Sequence, residues 1–121
     1  MPNLLVIDDD EDYREYLTIL LSRRGYRVRG LPTGRALDNA LSSERFDAVI
    51  TDLYMPGIDG LEVVQAIKQV TPSLPVIGIT GGGAGDSICS RAMVMFGAAV
   101  VLTKPLDPAA LFDAIKRALS L

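Results

Sequence analysis

Strand-length apolar runs alternate with helix-period segments from one end of this chain to the other, which predicts an α/β fold of five βα units on an open parallel sheet. The order of the residues that end those runs supports the same architecture. Leu4–Ile7 precedes Asp8 and Asp9, Ala48–Thr51 precedes Asp52, Pro75–Ile79 precedes Thr80, and Ala98–Thr103 precedes Lys104. In an open parallel sheet the ligand crevice lies outside the carboxyl ends of the strands, so these groups converge although dozens of residues separate them. A length of 121 residues with 49% hydrophobic content suits one domain with a full core, spanning residues 1–121.

The first strand is expected over Asn3–Asp8. Tyr13, Tyr16, Leu17, Leu20 and Leu21 then recur at helical spacing among charged residues, and Gly25 supplies the stop. Arg27–Leu31 is less apolar, and its interspersed arginines suit a half-exposed edge strand. Thr33 offers an N-cap for a helix reaching about Ser43. Phe46–Thr51 is apolar enough for a central strand buried on both faces, and it delivers Asp52. Met55–Ile58 reads as a loop, after which Asp59 and Glu62 form a capping box for a helix carrying Leu61, Val64 and Ile67.

Thr71–Pro75 breaks that helix, and the fourth strand follows over Val76–Thr80. Asp86 can cap a helix ending near Phe96, with Ile88, Cys89, Ala92, Met95 and Phe96 as its apolar face, Met93 at the edge of that face and Val94 opposite. The fifth strand is expected over Ala98–Thr103. Asp107 and Pro108 then start a last helix, an N-cap followed by proline at the first helical position, with Leu111, Ala114, Ile115, Ala118 and Leu119 on one face.

Composition excludes several kinds of chemistry. Cys89 is the only cysteine and there is no histidine, so internal disulfides, zinc-finger ligand sets and histidine triads are ruled out. A net charge of −3 without a basic run gives little support to direct nucleic-acid binding. The apolar stretches are strand-sized and Met1 runs straight into a strand, so neither a membrane span nor a signal peptide is visible and a cytoplasmic location is expected. The glycines Gly81, Gly82, Gly83 and Gly85 do not match a P-loop, because no Gly-Lys-Ser/Thr follows, and they read as a connection that leaves the backbone beside Thr80 free to move.

Asp8, Asp9 and Asp10 stand where a strand hands over to a helix, so capping alone, at roughly 1 kcal/mol, explains one acid there. It does not explain Asp52 at the same end of another strand. Two carboxylates ~4 Å apart repel by about 4 kcal/mol at an effective dielectric of about 20, so a cluster calls for a cation. With oxygen donors and no histidine or thiolate, Mg²⁺ is the natural candidate. Asp52 reads as a turn residue or as a nucleophile toward a phosphoryl group. Thr80 and Lys104 read as an ordinary strand residue and a solvated charge, or as the hydroxyl and ammonium donors a phosphoryl group needs.

At this point the chain resembles a receiver domain of the two-component response regulators over essentially its whole length. The matching pieces are Leu4-Leu5-Val6-Ile7-Asp8-Asp9-Asp10, Asp52-Leu53-Tyr54-Met55-Pro56-Gly57-Ile58-Asp59-Gly60, Pro75-Val76-Ile77-Gly78-Ile79-Thr80, and Gly97-Ala98 through Thr103-Lys104-Pro105-Leu106. The resemblance implies a flavodoxin-like, doubly wound sheet of strand order 2-1-3-4-5 with five helices. It implies that Asp8 and Asp9 hold Mg²⁺ together with Asp52 and the Tyr54 carbonyl. Asp52 is then the phosphoacceptor, Thr80 the switch hydroxyl and Lys104 the phosphate partner, with a cis peptide before Pro105. The resemblance further implies that the domain catalyses its own phosphotransfer and slow hydrolysis.

Two positions depart from the family pattern. Val101 stands where most receivers place an aromatic residue on the fifth strand, and Gly81 and Gly82 follow Thr80 where alanine and a larger residue are commoner. The expected output is therefore a fourth-helix, fifth-strand and fifth-helix surface that acts without an aromatic rotamer. There, Met93 and Val94 beside Val101 are expected to offer a small apolar patch to a downstream protein or a second copy of the chain. With no histidine in the chain, the phosphoryl donor is a separate sensor histidine kinase or histidine phosphotransfer protein. Two other readings compete: a haloacid-dehalogenase-like phosphatase, disfavoured because that family has its nucleophile in the first strand, and a degenerate receiver that binds partners without phosphorylation. The sequence is equally compatible with a free-standing receiver and with part of a longer regulator.

Overall fold

The computed structural model describes residues 1–54, 59–81 and 86–120, without the side chains of Asp86 and Ser87. The expected loop from Met55 to Ile58, the glycines from Gly82 to Gly85 and a cap by the Asp86 side chain fall outside the described residues. The elements are β1 (Asn3–Ile7), α1 (Glu11–Ser22), β2 (Arg27–Leu31), a 3-10 turn (Gly34–Ala36) leading into α2 (Leu37–Ser43), β3 (Ala48–Asp52) and α3 (Gly60–Val70), then β4 (Val76–Thr80), α4 (Asp86–Met95), β5 (Val100–Thr103) and α5 (Pro108–Leu119). The strands are parallel and ordered β2-β1-β3-β4-β5, as expected of a doubly wound fold.

Alternate residues of each strand feed two cores. Leu4, Val6, Ala48, Ile50, Ile77 and Ile79 meet Leu17 and Leu21 of α1 and Leu111 and Ile115 of α5. Leu5, Ile7, Val49 and Val76 meet Leu37 of α2, Val63, Val64 and Ile67 of α3, and Met93 of α4. The central strand β3 is buried at every residue, which suits the apolar run Ala48, Val49 and Ile50 on both parities before Thr51 and Asp52.

Helix starts follow the expected chemistry. The Asp10 carboxylate accepts from the Asp12 and Tyr13 amides, Asp59 from the Glu62 amide at 3.0 Å, and Asp107 from the Ala109 amide at 3.2 Å, with Pro108 at the first helical position. Thr33 caps only the 3-10 turn, and the α-helix proper starts at Leu37. Val63 rather than Leu61 takes the inward position on α3, and Tyr16 is exposed on α1.

The larger correction concerns α4. Met93, expected at the margin of its apolar face, is fully buried, whereas Ile88, Met95 and Phe96 are 66%, 84% and 47% exposed. The physical reason lies in β4. A Cβ on Gly78 would stand 2.7 Å from Met93 Cε and 2.8 Å from its Sδ, so the hollow above Gly78 is filled by the end of that long side chain. The helix is thereby docked about Met93, and its neighbours turn outward.

A second glycine sets the geometry near Asp52. A Cβ on Gly60 would lie 2.6 Å from the Asp52 carbonyl oxygen and 2.8 Å from Leu53 Cα. The Gly60 amide donates to the Leu53 carbonyl at 2.8 Å, so α3 begins directly against the end of β3. Gly60→Ala meets backbone that cannot yield and is expected to cost about 1–3 kcal/mol, whereas Gly78→Ala meets only the tip of a flexible side chain and is expected to cost clearly less. Urea denaturation of the two variants checks this order, and equal losses would contradict it.

Candidate functional site

The hydrogen-bond ladder runs one residue past several strands and so fixes the groups that follow them. The Asp8 amide donates to the Leu31 carbonyl at 3.1 Å, Leu53 to Ile79 at 2.8 Å and Lys104 to Thr80 at 2.7 Å. Because Ile7 pairs with Thr51, Asp8 and Asp52 emerge side by side on neighbouring strands. Thr80 pairs with Thr103, which puts Lys104 just beyond the end of β4. The peptide between Lys104 and Pro105 is cis, as the resemblance implied.

Asp8, Asp9 and Asp52 each bring a carboxylate oxygen within 4.8 Å of the others. Asp8 is 1% exposed and Asp52 8%, while Asp9 faces solvent. Asp10, the remaining acid of the run, is outside this cluster and serves as the cap of α1. Lys104 Nζ lies 3.4 Å from Asp8 Oδ2 and 3.7 Å from Asp52 Oδ2. Backbone amides supply further compensation: Leu53 donates to Asp52 Oδ1 and Asp10 to Asp8 Oδ1, both at 3.0 Å.

These contacts do not balance the charge. Burial, and next the Asp8 carboxylate, push the Asp52 carboxyl up to about 6 despite Lys104 and the Leu53 amide. Burial alone would lower the Lys104 ammonium, but Asp52 and Asp8 outweigh it and raise it. Three carboxylates against one ammonium leave an excess of negative charge on oxygen donors only, and this donor set fits a hard divalent cation. Thr80 is 1% exposed at the end of β4. Tyr54 has an exposed ring whose hydroxyl donates to Cys89 Sγ at 3.5 Å, joining the end of β3 to α4.

Sequence reasoning missed one member of this neighbourhood. Tyr13, read as part of the buried stripe of α1, presents its ring to Lys104 Nζ at 4.2 Å from the centroid. Helical periodicity marks Tyr13 as inward-facing but carries no signal that a lysine 91 positions later will lie over it. A hollow at the opposite end of the sheet, lined by Glu44, Phe46, Asp47, Thr71 and Pro75 among others, holds none of these groups.

A doubly wound sheet with an acidic cluster and a lysine at its carboxyl edge defines a class of domain, and comparison with known proteins gives its family. Residues 4–116 match the model of the response regulator receiver domain. The C4-dicarboxylate transport transcriptional regulatory protein DctD of Pseudomonas aeruginosa is 38% identical over 116 residues, which are 96% of this chain and 25% of that protein. The transcriptional regulatory protein GlrR of Escherichia coli is 36% identical over 118 residues, 97% of this chain and 26% of that protein. Among solved structures, a response regulator receiver domain protein from Clostridium thermocellum superposes with a TM-score of 0.92 at 30% identity, covering 99% of this chain and 95% of the other. NtrX from Brucella abortus gives a TM-score of 0.91 at 28% identity, over 99% of this chain and 27% of that one. This chain belongs to the response regulator receiver domain family, and it spans about a quarter of the length of the curated relatives DctD and GlrR.

The raised Asp52 carboxyl makes stability depend on pH. Between about pH 4 and pH 6 the folded chain keeps a proton that the unfolded chain has released, so the contribution of this group is full below about pH 4 and is lost as pH rises through about 6. In chelator at about pH 7.5, Asp52→Asn is therefore expected to be more stable than wild type by about 1–3 kcal/mol, with the gain shrinking toward about pH 4. Denaturation curves across that range check it, and a gain that does not vary with pH would contradict the electrostatic origin.

Proposed function

We propose that this chain, residues 1–121, is a phosphorylation-switched receiver in which Asp52 accepts a phosphoryl group with Mg²⁺ as cofactor. The observation that carries the reading is the meeting of Asp8, Asp9 and Asp52 oxygens within 4.8 Å, with Lys104 Nζ 3.7 Å from Asp52 Oδ2. Asp8, Asp9 and Asp52, with the Tyr54 carbonyl, would hold the ion, which supplies neutralisation of phosphoryl oxygens when bound. An Asp52 carboxylate oxygen attacks phosphorus, a bond to that oxygen forms and the bond to the donor's nitrogen or oxygen breaks. Lys104 offsets the added negative charge at one oxygen, and the Thr80 hydroxyl donates to another. Water then attacks the acyl phosphate slowly, the bond from phosphorus to the Asp52 oxygen breaks, and inorganic phosphate leaves with the carboxylate restored, so the domain acts on itself rather than turning over a substrate.

The donor in this reading is a sensor histidine kinase or a histidine phosphotransfer protein in the cytoplasm, since the chain has no histidine of its own. The output is the surface of α4, β5 and α5, offered to a downstream protein or a second copy of the chain. Its support is the outward turn of Ile88, Val94, Met95 and Phe96 beside the half-buried edge strand β5. Because Met93 is buried against Gly78 and close to Val101, movement at Thr80 has a route to α4 through packing, without an aromatic rotamer.

Incubation with acetyl phosphate and Mg²⁺ is expected to add one phosphoryl mass to wild type and none to Asp52→Asn or to wild type in chelator. Unchanged labelling of Asp52→Asn would remove Asp52 from the role. Amide hydrogen exchange with and without a phosphate mimic is expected to change protection in α4 and β5. Changes confined to α1 and α2 would put the output elsewhere.

A further inference from the structure

We propose that Tyr13 is a positioning residue for phosphoryl transfer, its ring face holding the Lys104 ammonium at the edge of the carboxylate cluster; this rests on the reading of Asp52 as the acceptor. Lysine is a point charge on a flexible four-carbon stem, so something must fix where it waits. Neither carboxylate does so tightly. The separations of 3.4 Å to Asp8 and 3.7 Å to Asp52 exceed the roughly 2.7–2.9 Å of a well-formed charge-assisted bond. The Tyr13 centroid at 4.2 Å lies well inside the range of about 6 Å at which an aromatic face attracts a cation.

The ring also differs from the carboxylates in what it can lose. A cation held by Asp8, Asp9 and Asp52 would draw on the same two carboxylates that face Lys104, whereas the ring has no stake in that exchange. Tyr13 therefore restrains the ammonium when its ion-pair partners are engaged elsewhere. The ring itself is held: it belongs to the third residue of α1, whose amide is bound by the Asp10 cap at 3.2 Å, it packs against the core that includes Leu17 and Leu111, and the Tyr16 ring lies 5.7 Å away.

The hydroxyl is not what selects the residue. It is buried without a well-formed hydrogen bond; loss of solvent raises the phenol above its usual value, and the nearby Leu106 backbone only partly opposes this. Phenylalanine should then serve as well, and leucine, of similar apolar character but with no π face, should not.

The chain has three lysines, Lys68, Lys104 and Lys116, so their ε-methylene resonances can be resolved by selective ¹³C labelling. Those of Lys104 are expected upfield of Lys116 in wild type and in Tyr13→Phe, and at the ordinary position in Tyr13→Leu. With acetyl phosphate as donor, which needs no partner protein, Tyr13→Phe should label at close to the wild-type rate and Tyr13→Leu about three- to tenfold more slowly. Should Tyr13→Leu fail to fold, Tyr13→Met takes its place. An unshifted Lys104 methylene in folded wild type, a folded Tyr13→Leu labelled at the wild-type rate, or a Tyr13→Phe as slow as Tyr13→Leu each overturns the proposal. If wild type accepts no phosphoryl group at all, the receiver chemistry fails, while the methylene shift still decides whether Tyr13 holds Lys104.

Discussion

Negative charge concentrated at the carboxyl ends of buried central strands is the constraint on which this domain is built. Asp8 and Asp52 are almost fully enclosed, and two enclosed carboxylates side by side are unfavourable unless the surroundings compensate. Compensation comes from Lys104, from backbone amides aimed at one oxygen of each acid, and from an arrangement of oxygens suited to a cation. Each depends on strand register: a slip of one residue would turn Asp52 to the other face of the sheet. Gly60 belongs to the same constraint, since only a residue without a side chain lets α3 begin against the Asp52 carbonyl.

Around that charged edge the helices divide into two kinds of contact. On the α1 and α5 face, apolar stripes meet the strands through Leu17, Leu21, Leu111 and Ile115, a broad attachment suited to a fixed wall. On the other face, α4 contributes a single fully buried side chain among its described residues, Met93, seated over Gly78. A helix whose one fully buried side chain is a flexible methionine is displaced at less cost than one anchored by a buried stripe. The same docking leaves Val94, Met95 and Phe96 facing solvent.

The family likeness and the physical reading meet at different levels. Similarity over nearly the whole chain gives the family and the fold. What it does not carry is how this chain handles positions where it departs from its relatives' pattern. Val101, one such position, borders the hollow above Gly78, and Met93 fills that hollow from α4. The compensation is steric and local, a consequence of close packing in the interior.

Much of this was legible in the amino-acid sequence alone. Apolar runs of strand length alternating with helical periods define the parallel sheet, and the residues that end the runs, Asp8, Asp9, Asp52, Thr80 and Lys104, fall at one edge of it, because parallel strands present their carboxyl ends together. Caps at Asp59 and Asp107 were readable because they act within a few residues of themselves. Tertiary structure alone decided which face of α4 turns inward, since an exposed and a buried methionine look alike until the hollow above Gly78 is known. It alone gave the capping role to Asp10 among the three consecutive acids, and it alone laid Tyr13 beneath Lys104. Periodicity reports only that a side chain points toward the core; which group meets it there depends on strand order and register, and those are properties of the assembled sheet.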